Sequence, residues 1–177
     1  MRRMEKGIQN RDIFDYVMAR ADVCRLGLCK DGMPYIVPVS FGYDGAYIYF
    51  HTAPKGMKID FINANNRICF ELEHEAKAIP HETDACKWSF SFYCVVGFGS
   101  VEEIADPSKK VDALQYIMKH YSDKEWGFSE TFVKATRLWR ISIEQATGKK
   151  SKDKPAISIL PVAEKITTIV EADGRSI

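Results

Sequence analysis

Two Asp-Gly pairs, Asp31-Gly32 and Asp44-Gly45, constrain this chain more than any other feature. Each separates β-rich runs, and such a pair suits a tight hairpin turn because its central residues tolerate positive φ. The runs cover residues 23–29, 35–43 and 46–51. Three runs joined by two short turns predict a meander of antiparallel strands. The middle run carries Pro34 and Pro38. A proline donates nothing to a ladder, so Pro38 is expected at a bulge or an outward-facing edge position. Such a position either bends the strand or leaves nearby backbone groups free for a ligand.

The remaining chain alternates between two periods. Ile13, Phe14, Val17, Met18 and Ala21 share one helical face, which predicts a helix over 11–21 with the Asn10 side-chain oxygen as its cap. Ile59, Phe61, Ile62 and Ala64 indicate a short helix ending near Asn65-Asn66. Residues 67–73 return to strand, with Ile68, Phe70 and Leu72 on one face. Residues 74–87 are polar and irregular and read as a surface loop. The β-rich stretch 88–101 contains Gly97 and Gly99, which suggest a barrel corner or the close approach of another backbone. Asp106-Pro107 opens a second helix, since a proline in the first turn needs no partner for its missing amide. Val111, Leu114, Ile117 and Met118 form its inner face. Residues 122–135 read as a loop with a short helix, and 138–143 as the last core strand. The expected fold is mainly β with α: a closed or nearly closed six-stranded antiparallel barrel with flanking helices, because closure removes exposed edges.

Composition narrows the function classes. The 177 residues suit one domain, and 46% hydrophobic content supplies one core. A net charge of +1 offers no surplus positive field for nucleic acid or an anionic membrane. No stretch approaches the ~20 apolar residues of a membrane helix. The basic N-terminus lacks the apolar core of a signal peptide. Five cysteines without tight pairing suit a reducing compartment. The expectation is a cytoplasmic protein.

The most informative segment for chemistry is His51-Thr52-Ala53-Pro54-Lys55-Gly56-Met57-Lys58. It gathers an imidazole, a hydroxyl, two ammonium groups and a glycine at a strand-to-helix junction. Free amides at a helix start favour anions, and Gly56 permits a turn around a phosphate. From spacing alone the segment reads more readily as a solvated turn with two surface lysines, since it contains no GxxxxGK[ST]. His51 is either a hydrogen-bonded structural residue or a proton donor and cofactor contact, its ordinary pKa of ~6.5 allowing exchange near neutrality. His74, His81 and Cys86 lie near Glu75, Glu82 and Asp84 without paired ligand spacing, and Cys24 and Cys29 point to opposite strand faces. No metal is therefore expected. Trp88, Phe90, Phe92, Tyr93, Phe98, Trp126 and Trp139 load the second half with aromatic rings. They suit core packing, a slot for a planar ligand, or a dimer interface. No GxGxxG follows a strand, which argues against a Rossmann site.

Several segments, in order, carry a family likeness. They are Arg25-Leu26-Gly27-Leu28, the run from Asp31-Gly32 to Pro38-Val39, Tyr47-Ile48-Tyr49-Phe50-His51, Gly56-Met57-Lys58-Ile59 and Asn65-Asn66-Arg67-Ile68-Cys69-Phe70-Glu71. Together they resemble the flavin-binding split-barrel family related to pyridoxamine 5'-phosphate oxidase, and more narrowly its nitroimidazole-resistance (Nim) branch. Tyr93 to Gly99, Trp139 to Ile143 and Thr147-Gly148-Lys149 extend the likeness to about residue 150.

The resemblance implies a flavin-binding domain over 1–150, with a 151–177 tail outside it that is free to pack on a dimer partner. It implies a homodimer with FMN, or FAD, in each cleft between subunits, and a small-molecule substrate. On that analogy the backbone at Pro38, Val39 and Ser40 faces the isoalloxazine edge. Phe50, His51 and Thr52 line the ring and ribityl chain, and Lys58, with Ile59 beside it, holds the phosphate. Tyr93, Cys94, Val95 and Trp139 are expected as contacts to the partner's flavin. His51 is the implied catalytic residue, and the implied reaction is two-electron reduction of a nitro group. Alternative readings are flavin storage or sensing, reduction of another metabolite, pyridoxamine 5'-phosphate oxidase-like activity, and a barrel binding a protein or haem-like ligand.

Overall fold

A computed structural model describes residues 7–157. At the first Asp-Gly pair, Asp31 and Gly32 both take positive φ, 49° and 79°. They turn strand β2 (Cys24–Lys30) tightly into β3 (Met33–Val39), with Lys30 opposite Met33. At the second pair Gly45 takes φ 101°, and the Asp44 carboxylate accepts from the amides of Ala46 and Tyr47 at 2.8 and 2.7 Å. That turn joins the two-residue strand β4 (Gly42–Tyr43) to β5 (Tyr47–Thr52).

The three runs do not form one continuous ladder. The middle run divides at Ser40-Phe41, and its halves occupy opposite ends of the sheet. With β6 (Arg67–Ile79), β7 (Ser89–Ile104) and β8 (Arg137–Lys150), the hydrogen-bonded order is β3-β2-β6-β7-β8-β5-β4. A short β1 (Gly7–Gln9) adds to β8 in parallel. Val39 and Gly42 are three residues apart, so the ends of the path lie within about 10 Å of each other. The sheet therefore curls into a barrel, yet among the described residues no ladder joins β3 to β4. The six expected strands are the long ones; β1 and β4 are additions, and the barrel is split rather than closed. β3 lies at an end of this path, where Pro34 and Pro38 remove no ladder bond from a second neighbour.

Helix α1 (Arg11–Met18) packs Phe14, Val17 and Met18 into the main core with Leu26, Phe50, Phe70, Leu72, Val95 and Ile141. Asn10 does not cap it with its oxygen. It takes a left-handed φ of 52°, and its Nδ2 donates to the carbonyl of Gly148 at 2.8 Å. The parallel β1–β8 pairing brings Asn10 against β8, and a Cβ at Gly148 would lie 2.8 Å from the Asn10 carbonyl oxygen. Helix α2 (Met57–Ala64) follows β5, and α3 (Pro107–Tyr121) begins at Asp106, whose carboxylate accepts from the amides of Ser108 and Lys109. On α3, Ala113, Leu114 and Ile117 pack with Ile104, Leu138 and Val133 of α4 (Glu130–Ala135) into a second, smaller core.

The polar stretch expected as a loop is strand as far as Ile79, pairing Lys77 with Ser91 and Ile79 with Ser89. Residues 75–78 are exposed on both sides of a two-stranded ribbon, so backbone pairing forms it without a buried apolar stripe. Ser151 to Ile157 fold back on their own chain: Asp153 accepts from Ser91 at 2.6 Å, and the Pro155 carbonyl accepts from Tyr93 at 3.2 Å. The rest of the tail, 158–177, lies outside the described residues.

Gly97 and Gly99 serve close approach. A Cβ at Gly97 would run into the edge of the Phe70 ring, within 2.7 Å of both flanking ring carbons. One at Gly99 would strike the Ser142 carbonyl, beside the register shift between Phe98 and Gly99. Gly97→Ala is expected to cost about 1–3 kcal/mol through overpacking. Gly27→Ala would meet only Cys69, its Cβ at 3.5 Å and its carbonyl oxygen at 3.6 Å, both ordinary contacts, and should change stability by less than about 0.5 kcal/mol. Urea unfolding of the two variants measures the contrast.

Candidate functional site

The site forms where β5 stops pairing. Phe50 stands opposite Trp139, His51 opposite Leu138, and Thr52 opposite Arg137, after which the β5–β8 ladder ends. Strand alternation turns Phe50 and Thr52 inward with Trp139 and leaves His51 exposed on the other face. The Trp139 indole Nε1 donates to the Thr52 hydroxyl at 3.0 Å, and the Phe50 and Trp139 rings stack at 6.3 Å. The Arg137 guanidinium lies 4.7 Å from the Trp139 ring centroid. It donates from Nε and Nη2 to the Glu103 carboxylate at 2.7 and 2.6 Å, and from Nη1 to the Pro54 carbonyl at 3.5 Å.

From there the chain enters α2 through Gly56, whose φ of 143° an L side chain rarely adopts. The Gly56 carbonyl accepts from the amides of Ile59 and Asp60 at 2.9 and 3.2 Å. The amides of Met57 and Lys58 precede those bonds, so they lie at the helix start, where backbone donors have no acceptor within the helix. Ile59, Phe61 and Ile62 are buried and hold α2 against the barrel. Lys58 is half-buried, and that burial lowers its pKa. Desolvation also lowers the pKa of His51, and the positive charge of Lys58 lowers it further. Burial thus disfavours the charge on both basic groups, and Lys58 adds to the effect on His51, at one end of a helix with free donors. An anion placed there would favour both charges.

The other residues expected at the site are spread more widely. Pro38 is exposed and Val39 buried at the end of β3, and Ser40 is exposed in the link to β4. Tyr93 and Val95 are buried in the main core. Cys94 faces the opposite side, its thiol 3.6 Å from Glu71, and burial followed by that carboxylate pushes its pKa up to about 11. Ile104 of β7 pairs with Leu138, the partner of His51. Val95 lies nine residues back along β7, about 30 Å at strand spacing. Within one chain, therefore, Phe50, His51, Thr52, Lys58, Ile59 and Trp139 belong to one end of the barrel and Tyr93, Cys94 and Val95 do not. Arg137 and Glu103 join that end without having been foreseen, because their pairing spans two strands and 34 residues.

A cleft of about 550 Å³ opens elsewhere, between α3 and the β7–β8–β5 face, lined by Tyr49, Glu102, Asp112, Tyr116 and Arg140 among others. None of the expected site residues lines it. Among the described residues no group of three or more His, Cys, Asp or Glu side chains is placed to hold a metal. His81 instead accepts from the amides of Thr83 and Asp84 through Nδ1. No helix among the described residues is long and apolar enough to cross a membrane.

Comparison with known proteins agrees with this architecture. A candidate 5-nitroimidazole antibiotic resistance protein of Bacteroides thetaiotaomicron VPI-5482 is 30% identical, with a TM-score of 0.70 over 79% of this chain and 82% of that one. An FAD-binding protein of Mesorhizobium loti is 28% identical, with a TM-score of 0.56 over 77% and 91%. A flavocytochrome of Azotobacter vinelandii, 18% identical, shares the fold with a TM-score of 0.70 over 96% and 84%. An uncharacterised protein of Rhizobium meliloti (strain 1021) is 32% identical over 65 residues, a match spanning 37% of this chain and 42% of that relative. The family model described as pyridoxamine 5'-phosphate oxidase matches residues 10–150, and the chain belongs to that family.

Proposed function

We propose that this chain is a flavin-dependent oxidoreductase of the nitroreductase type, working as a homodimer with FMN or FAD bound between subunits. Residues 1–150 form the flavin domain in this reading. The observation that carries it is the turn from His51 to Lys58, where a half-buried ammonium and the amides of Met57 and Lys58 meet at a glycine-led helix start. These donors fit a flavin phosphate. They supply charge and directed N–H groups together, and nothing lies within 4 Å of a Cβ built on Gly56 to obstruct a ligand. When bound, the flavin supplies the two-electron transfer that no side chain here performs.

The chain's own residues bind, orient and move protons. Lys58 and the helix amides hold the phosphate end. Thr52 accepts from Trp139 and keeps its own hydroxyl proton to offer a ligand. His51, with its pKa below the ordinary value, is mostly neutral at pH 7 and is a stronger acid when protonated. It suits delivery of a proton to a reduced nitro oxygen. The family likeness to a candidate nitroimidazole-resistance protein supports the substrate class.

The purified protein should show flavin absorption between 300 and 550 nm, and chromatography of the released ligand separates FMN from FAD. A colourless protein that takes up no added flavin would sink the proposal; flavin without nitro reduction would favour storage, sensing or another substrate. Lys58→Ala should weaken flavin binding about ten- to a hundredfold, the loss expected for a charged hydrogen bond, as read by flavin fluorescence.

The pH dependence has a definite sign. A histidine whose folded pKa is depressed costs stability in acid, so stability is retained above about pH 6.5 and declines as pH falls through that value. NMR titration of the flavin-free protein should place the His51 pKa below 6.5, and Lys58→Ala should raise it by removing the neighbouring charge. If His51 donates the proton, turnover should fall as pH rises through the depressed value. That dependence should vanish in His51→Ala while flavin content is unchanged.

A further inference from the structure

We infer that Arg137 is a positioning residue for the phosphate turn, acting through Pro54 and Trp139 rather than by touching the cofactor; the inference rests on the flavin reading above. The β5–β8 ladder ends with Thr52 opposite Arg137. The chain must then cross Ala53, Pro54, Lys55 and Gly56 before α2 takes over, without strand pairing to set its path. Two donors from β8 reach this stretch. Trp139 Nε1 fixes Thr52 at 3.0 Å, and Arg137 Nη1 meets the Pro54 carbonyl at 3.5 Å.

The geometry engages the guanidinium through all three of its nitrogens and one face. Its Nε–Nη2 edge is closed by both oxygens of Glu103, its face lies over the Trp139 ring, and Nη1 is left for Pro54. Glu103 offsets its charge, so Arg137 contributes direction rather than net attraction for an anion. The planar fork can serve three partners at once, which a lysine ammonium on a flexible stem cannot do. Pro54 precedes Gly56 by two residues, so a shift of its carbonyl changes the entry into α2. With it changes the aim of the Met57 and Lys58 amides. A phosphate senses that aim; a ligand lacking one does not.

The test compares FMN with riboflavin, which carries the same ring and ribityl chain without the phosphate. Both are titrated by fluorescence quenching into flavin-free wild-type, Arg137→Gln and Arg137→Lys protein, with circular dichroism confirming folding. Arg137→Gln should bind FMN about tenfold more weakly, the scale of one lost hydrogen bond, and riboflavin within about twofold of wild type. Arg137→Lys should behave like Arg137→Gln. An equal fall for both ligands would overturn the inference by making Arg137 a general support of the fold, and so would no fall at all. Full recovery of FMN binding by Arg137→Lys would also overturn it, because charge alone would then suffice. A wild-type protein that binds riboflavin as tightly as FMN would instead remove the phosphate site itself.

Discussion

The two-residue link Ser40-Phe41 between Val39 and Gly42 is the constraint on which the rest of the barrel depends. It ties the two ends of the strand path together without letting them pair, so a long sheet has to curl. Curling brings inner-face side chains into mutual contact, and two positions on β7 must then lose their side chains. Phe70 fills the space a Cβ at Gly97 would need, and the Ser142 backbone fills that at Gly99. The same curvature leaves the outer face of β5, β7 and β8 convex, and α3 and α4 cover it with the second core. Both cores therefore follow from one short connection.

The candidate site is a product of where that curvature stops. Beyond Thr52 the sheet no longer supplies hydrogen-bond partners, and the helix that follows has not yet begun to supply its own. Backbone donors are unmet there, and the sequence places its cations at the same spot. Burial disfavours the charge on both His51 and Lys58, and Lys58 further disfavours a protonated His51, so an anionic ligand at this spot would favour both charged forms. The buried Phe50, Trp139 and Thr52 beneath keep that end rigid while the exposed face stays open.

Local chemistry made much of this readable from residues alone. Asp31-Gly32 marked a hairpin because it needs positive φ, Asp106-Pro107 marked a helix start, and the His51–Lys58 segment stood out by composition. Failures came where a distant partner decided the outcome. Asn10 has the right side chain for a cap, but the parallel strand beside Gly148 claims its amide. Residues 75–78 are exposed on both faces because the ribbon leaves the core, and a strand without a buried apolar stripe looks like a loop. The split of one β-rich run between opposite sheet ends carries no local mark. Arg137 and Glu103 meet across two strands, and neither residue type announces the other.

The parallel pairing of β1 with β8 sets an order on folding. Gly7, Ile8 and Gln9 find their partners only at Gln145, Ala146 and Thr147, after nearly the whole described chain has been made. Until β8 is in place, β1 has no ladder and Asn10 has no carbonyl to hold it. The apolar side of α1, carrying Phe14, Val17 and Met18, lies against β6 and β7 as well as β8 and completes its packing only then. A chain emerging from the ribosome therefore presents the β8 side of this surface until residue 145 and beyond have been made. Contacts of such large sequence separation close slowly, which leaves α1 open to chaperones and to premature association on its β8 side until late.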